Sequence, residues 1–229
     1  MEALSALTPQ QVTFYETFGF LRFPGLFRDD VAEIAAGFER VFAAEEHGRL
    51  ETFEDLHGAE RRIIIPAFVT KDPYLTALID DPRTVSIVSG LLGPDYEYAQ
   101  SDGNLFDCES HWHSDIYGAP IDYKHLKLSF YLEPLRAETG AIRVMPGTNS
   151  VDHEYAKAVR RLTWDSTKLE STFGMDPRDL PGHVIESDPG DLIIWDFRTI
   201  HPSYGGGMRR RLFSVNFRER MPKPADTGA

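Results

Sequence analysis

The stretch HWHSD, residues 111–115, sets two histidines and an aspartate at alternate positions. On an extended backbone His111, His113 and Asp115 therefore leave the same face. A His-x-Asp pair can give two ligands to one metal, and a third must arrive from another part of the chain. The candidate is His201, which ends the apolar run GDLIIWDFRTIH just before PSYGGG and so stands where a core strand would reach a cavity mouth. Two imidazoles and one carboxylate on one face of an octahedron leave three positions open, the ligand set of non-haem Fe(II) centres that activate dioxygen. Alternation alone does not say whether His111 or His113 is the ligand, and an isolated pair of this kind more often makes an ordinary hydrogen bond.

Such side chains need rigid strands to hold them. The better strands are EYAQSDGNLF, HLKLSFYLEPL, GAIRVMPGTNS, HVIESDPGDLIIWDF and RLFSVNFRE, with RRIIIPAFV and FLRF before them. Helices precede most of them. In TPQQVTFYETFG, Thr8 is an N-cap, Pro9 stands at the first helical position, Gln11 completes a capping box and Gly19 follows the end. In DDVAEIAAGFERVFAAEEHG the residues Val31, Ile34, Ala35, Phe38, Val41 and Phe42 make one helical face, and a helical pair is expected around DPYLTALIDDPRTVSIVSGLLG. With no alternation of strand and crossover helix, the pattern predicts a mainly β fold, a barrel or sandwich with flanking helices.

The chain has 229 residues and no stretch resembling a linker, so a single domain is expected over 1–229. Residues 151–182 are polar and irregular in pattern, and they are expected to be an insertion lying as a lid over the barrel mouth. The one cysteine, Cys108, excludes an internal disulfide and a thiolate metal cluster. No run of about 18 apolar residues occurs, and MEALSALTPQQ lacks the basic and apolar regions of a signal peptide, so a cytoplasmic protein is expected. A net charge of -12 disfavours nucleic acid or an anionic membrane as a partner and leaves a small molecule as the default ligand.

WHSD at 112–115, LEPLRAETGAIRVMPGTNS, PGDLIIWDFRTIHPS and RRLFSVNF, in that order, resemble the phytanoyl-CoA dioxygenase family of Fe(II)/2-oxoglutarate oxygenases, which includes ectoine hydroxylase. YETFGFLRFPGLF resembles that family's opening, so the likeness spans nearly the whole chain. It implies a double-stranded β-helix, a jelly roll of the cupin type, with His113, Asp115 and His201 as iron ligands. His111 matches no ligand and is read as a residue beside the site or a plain surface histidine. The co-substrate, 2-oxoglutarate, needs a cation for its far carboxylate, and the forked guanidinium of arginine suits that task. Among Arg209, Arg210 and Arg211, alternation groups Arg210 with Leu212, Ser214 and Asn216. The family's Arg with a Ser four residues on selects Arg210 and Ser214; the interval of nine residues from His201 leaves Arg211 as the alternative. Ser203 matches a co-substrate contact of the family. Lys127, Ser129 and Tyr131 share one strand face, and Tyr131 is taken as a further contact.

The resemblance implies conversion of 2-oxoglutarate and dioxygen to succinate and CO2, coupled to oxidation, by default hydroxylation, of an unactivated C–H bond. Asp115 at the carboxylate position argues against a halogenase. Trp112, Ile116, Tyr117, Trp195, Trp164 and Phe173 suggest a partly aromatic substrate pocket, and Arg61, Arg62 and Arg143 are candidates for holding an anionic group. The rival readings are a non-enzymatic β-helix that binds metal or a small ligand, and a cupin-like dioxygenase that does not use 2-oxoglutarate.

Overall fold

The computed structural model describes residues 6–45, 49–51, 62–116, 122–163, 165–205 and 209–220. In chain order the elements are α1 (Pro9–Phe18), β1 (Phe20–Phe23), α2 (Val31–Ala44), β2 (Arg49–Glu51), β3 (Arg62–Pro66), α3 (Pro73–Ala77) and α4 (Pro82–Leu92). There follow β4 (Tyr96–Phe106), β5 (Ser110–His113), β6 (His125–Tyr131), β7 (Ile142–Val144), α5 (Glu154–Arg160) and α6 (Ser166–Phe173). β8 (His183–Ile185), β9 (Leu192–Asp196), β10 (His201–Ser203) and β11 (Arg210–Glu219) complete the chain.

Two antiparallel sheets face each other. The larger runs β1-β9-β6-β11-β4-β3-β2 and the smaller β5-β10-β7-β8. From β4 to β11 the chain passes repeatedly between the sheets, with β7 and β8 following each other in the smaller one, in the manner of a double-stranded β-helix, as expected from the sequence. Helices α2 and α4 bury Ile34, Phe38, Val41, Ile87 and Val88 against the outward face of the large sheet, where Phe130, Phe213, Val215 and Phe217 wait. The opposite face of those same strands is the barrel interior, so the period of two in β6 and β11 separates an apolar packing face from a polar inner one.

Local chemistry sets the helix ends. The Thr8 hydroxyl accepts from Gln11 N, the Gln11 side chain returns to the Thr8 N–H, and Gly19 closes α1 at φ +82°. The Gly19 carbonyl then accepts from Asp196 N at 2.9 Å and from the Thr199 hydroxyl at 3.0 Å. The N-terminal helix is thereby tied to the turn that delivers His201.

The insertion differs from expectation. Residues 151–182 are not irregular: they form α5, α6 and a short 3-10 turn at Pro177–Asp179. Val159, Leu169 and Leu180 pack with Trp112, Met145, Ile200 and Tyr204, and the Trp112 indole donates to Pro177 O at 2.7 Å. The segment therefore lies on the outer side of the small sheet, and none of its described residues lines the central cavity. Trp164 falls outside the described residues.

Candidate active site

The small sheet and the loops after it carry three buried ligand-type groups. In antiparallel register His201 on β10 lies directly across from His113 on β5, which brings the ring centroids to 4.3 Å. Asp115, just past β5, is held by its own N–H, which donates to Phe197 O at 2.9 Å beyond the end of β9. Ligand atoms of His113, Asp115 and His201 all lie within 4.8 Å of one another, with His113 Nε2 at 3.9 Å and His201 Nε2 at 3.8 Å from Asp115 oxygens. Two donors each about 2.1 Å from a common ion are about 3.0 Å apart when adjacent on an octahedron, so the imidazole–carboxylate pairs stand within about 1 Å of that separation.

The imidazoles are oriented for that task. His113 Nδ1 lies 2.7 Å from His111 O, and His201 Nδ1 lies 2.9 Å from Thr199 O. A carbonyl only accepts, so each Nδ1 is the donor and each Nε2 carries the lone pair turned to the shared centre. Burial pushes the His201 pKa down, against the pull of Asp115, which keeps the ring neutral and able to ligate. Burial alone would raise the Asp115 carboxyl; the Lys127 ammonium and then the two histidines outweigh it and hold the pKa well below the usual carboxylate range. Lys127 Nζ at 3.0 Å and the Trp195 indole at 3.2 Å both reach Asp115 Oδ2 and fix the carboxylate's rotation.

A cavity of about 230 Å³ opens beside this set. Its lining includes His113, Asp115, His201, Ser203, Tyr131, Ser214 and Arg210. Arg210 is 4% exposed; Nη1 donates to Gly140 O at 2.7 Å and to Ser203 Oγ, Nη2 donates to Cys108 O, and Nε is buried without a partner. Burial lowers its pKa, and no carboxylate among the described residues pairs with it. A buried guanidinium in that condition suits an anionic ligand. Gly140, at φ +95°, has no room for a β-carbon, which would strike the Arg210 guanidinium. Tyr131 lies in the same part of the cavity, its hydroxyl kept protonated by burial although Arg210 opposes the shift. Arg211 points the other way, donating to Glu133 and to Glu39 at 2.6 Å.

Some candidates fall elsewhere. His111 is outside the cavity lining, with Nδ1 3.3 Å from Ser166 Oγ on α6. Trp112 alternates with His113 and so points to the outer face, which corrects its assignment to the substrate pocket. Arg143 is also on that outer side, donating to Arg178 O at 2.7 Å. Trp195 does line the cavity, whereas Ile116 and Phe173 do not. Tyr117, Arg61 and the Arg62 side chain lie outside the described residues. The sequence reading missed Gln100, Asp102, Asn104 and Phe106 on β4 as cavity residues. The signal was the same period of two that marked β6 and β11.

A double-stranded β-helix that brings such ligands to its cavity belongs, as a class, with the Fe(II)- and 2-oxoglutarate-dependent oxygenases. Within that class the chain is a member of the phytanoyl-CoA dioxygenase family, whose sequence model, Phytanoyl-CoA dioxygenase (PhyH), matches residues 15–211. An ectoine dioxygenase of Bordetella parapertussis is 25% identical over 216 residues, 86% of this chain and 70% of that protein. The structure of EctD from S. alaskensis with 2-oxoglutarate and 5-hydroxyectoine superposes with a TM-score of 0.68 at 20% identity, over 98% of this chain and 82% of that one. The 2-oxoglutarate-dependent carbocyclase SnoK from nogalamycin biosynthesis gives 0.71 at 18% identity, over 96% and 89%. These structural likenesses speak to fold. No helix among the described residues is long and apolar enough to cross a membrane.

Proposed function

We propose that the protein hydroxylates an unactivated C–H bond of a small molecule, with His113, Asp115 and His201 holding Fe(II) and Arg210 holding the distal carboxylate of 2-oxoglutarate. The observation that carries this reading is the buried, carboxylate-free Arg210 in the same cavity as a convergent His-Asp-His set. When bound, iron and 2-oxoglutarate supply an oxidant able to take hydrogen from an unactivated carbon, with dioxygen consumed and succinate and CO2 released.

The chain's own groups position and exclude. Arg210 keeps Nε for one carboxylate oxygen, Tyr131 presents its hydroxyl in the same part of the cavity, and Ser203, whose hydroxyl donates to Gly140 O at 2.9 Å and accepts from Arg210 Nη1, holds the guanidinium in place. Ser214 lines the cavity, but its hydroxyl donates to Asp102 at 2.6 Å, so its contribution is to hold Asp102. His113, Asp115 and His201 are each at most 6% exposed, which limits water at the ligand set. Placement in the cytoplasm belongs to the same proposal and fits a chain whose one cysteine can form no internal disulfide.

The test is succinate formation under air with Fe(II) and 2-oxoglutarate. Wild type should form succinate, and His113→Ala, Asp115→Ala and His201→Ala should not. Full turnover by His201→Ala would remove the proposed centre.

A further inference from the structure

The wall opposite the ligand set is a polar grid. Register across β4, β11 and β6 aligns Asp102, Ser214 and Ser129 in one row and Gln100, Asn216 and Lys127 in the next. Five of these six line the cavity, and Asn216 alternates with Ser214 on the same strand. Several groups on this wall lack a partner. The Ser129 hydroxyl is 0% exposed and bonds to nothing, and both polar atoms of the Asn216 amide, on a residue 1% exposed, are likewise unpaired. Asp102 accepts from Ser214 Oγ at 2.6 Å and from Asn104 Nδ2, yet has no ion pair among the described residues. Polar groups buried in this state cost free energy that a complementary ligand would recover.

The grid does not serve the co-substrate end. Arg210 pairs with Phe106, four residues along β4 from Asp102, a separation of about 13 Å at the usual strand rise. A five-carbon diacid held at Arg210 is shorter than that. Nor does the wall suit an acyl chain, which would seal Ser129 and Asn216 against hydrocarbon and leave Asp102 without a counter-charge.

We infer that Asp102, with Ser129 and Asn216 around it, is the recognition wall for the oxidised substrate, and that this substrate is a small hydrophilic molecule carrying a protonated amine. The inference rests on the reading of the cavity as an Fe(II)/2-oxoglutarate site. Asp102 takes the ammonium as a charge-assisted hydrogen bond, its geometry set by Ser214 and Asn104. Ser129, which lines the cavity, is a donor and acceptor for a substrate hydroxyl or carbonyl group. Lys127 is already engaged with Asp115 and holds that ligand instead.

The experiment uses the holoprotein under anaerobic conditions with Fe(II) and 2-oxoglutarate, probed by saturation-transfer NMR. The probes are a panel of hydroxylated primary amines (amino sugars, amino alcohols and amino acids), each beside its N-acetylated counterpart, together with palmitoyl-CoA. Free amines should bind, and N-acetylation should weaken each hit by about thirtyfold, the loss expected of a charge-assisted pair. Asp102→Asn, whose folding is checked by its thermal transition, should erase the preference for the free amine. Ser129→Ala is a second variant expected to weaken the same hits. The proposal is overturned if N-acetylated partners bind equally, if palmitoyl-CoA alone binds, if no amine binds at millimolar concentration, or if Asp102→Asn keeps the preference. Substrate-free succinate formation by the wild type is measured alongside: its absence would instead count against the co-substrate reading, so the two failures are distinguishable.

Discussion

At the scale of single residues, the site depends on side chains whose options have been removed one by one. Arg210 is buried, fixed by two backbone carbonyls and Ser203, and left with one unpaired N–H. Arg210→Lys keeps the charge but loses the fork, so 2-oxoglutarate affinity should fall by about 2 kcal/mol, roughly thirtyfold, while Fe(II) affinity holds. Calorimetric titration of both ligands checks this, and an equal effect from Arg211→Lys would place the anchor wrongly. Gly140→Ala should reproduce the affinity loss, because a β-carbon there displaces the guanidinium and the backbone stands at φ +95°. His113, Asp115 and His201 were legible in the sequence through alternation and a strand end, helped by family motifs. Arg210 rather than Arg211 is proposed as the anchor because Glu133 and Glu39, which lie far from Arg211 in sequence, draw that side chain outward. Asp102 and Asn104 lie on a strand the sequence marks, EYAQSDGNLF, but both of its faces carry polar residues, so the pattern alone does not say which face turns inward. In the fold Gly103 between them is required by the Phe68 ring packed on it.

At the scale of elements, capping residues and buried carboxylates join the pieces. Thr8, Pro9, Gln11 and Gly19 were a readable helix because their roles are local, set within a dozen residues. Asp191 does a less readable job. It is 6% exposed, accepts from Arg22 Nη2 at 2.7 Å, Gly25 N at 2.7 Å and Asp188 N at 3.0 Å, and so ties the start of β9 to the end of β1. Burial would raise its pKa, but the backbone N–H groups and Arg22 outweigh that and leave it lowered. A carboxyl depressed in the fold adds stability that is fully present above its unfolded pKa of about 3.9 and fades as pH falls through the lower native value. Asp191→Asn should therefore cost about 2 kcal/mol at neutral pH and progressively less in acid below about pH 4, measured by urea unfolding. A penalty independent of pH would show that the charge is not what matters.

At the scale of the whole molecule, the jelly roll assigns different work to its faces. Helices α2 to α4 cover the large sheet, α5 and α6 cover the small one, and the interior between the sheets is left for ligands. The segment 151–182 was misread as irregular because its helices are short and bury few apolar residues each, Leu169 being the one in α6. Its partners Trp112 and Ile200 stand beside His113 and His201 in the chain but point away from them, as a period of two demands. Replacing the segment with a Gly-Ser linker should uncover Trp112 and lower Tm by about 10 °C or more, since truncating a buried aromatic alone costs about 3–5 kcal/mol. Unchanged Tm with uncoupled succinate formation would restore the segment to a lid. The most direct measurement of the central claim is an anaerobic titration of the protein with Fe(II) and 2-oxoglutarate, followed by visible absorption. A weak metal-to-ligand charge-transfer band should grow only when both are present, saturate at one equivalent of each, and be absent in His201→Ala. No band in the wild type, or an undiminished band in His201→Ala, would contradict the account.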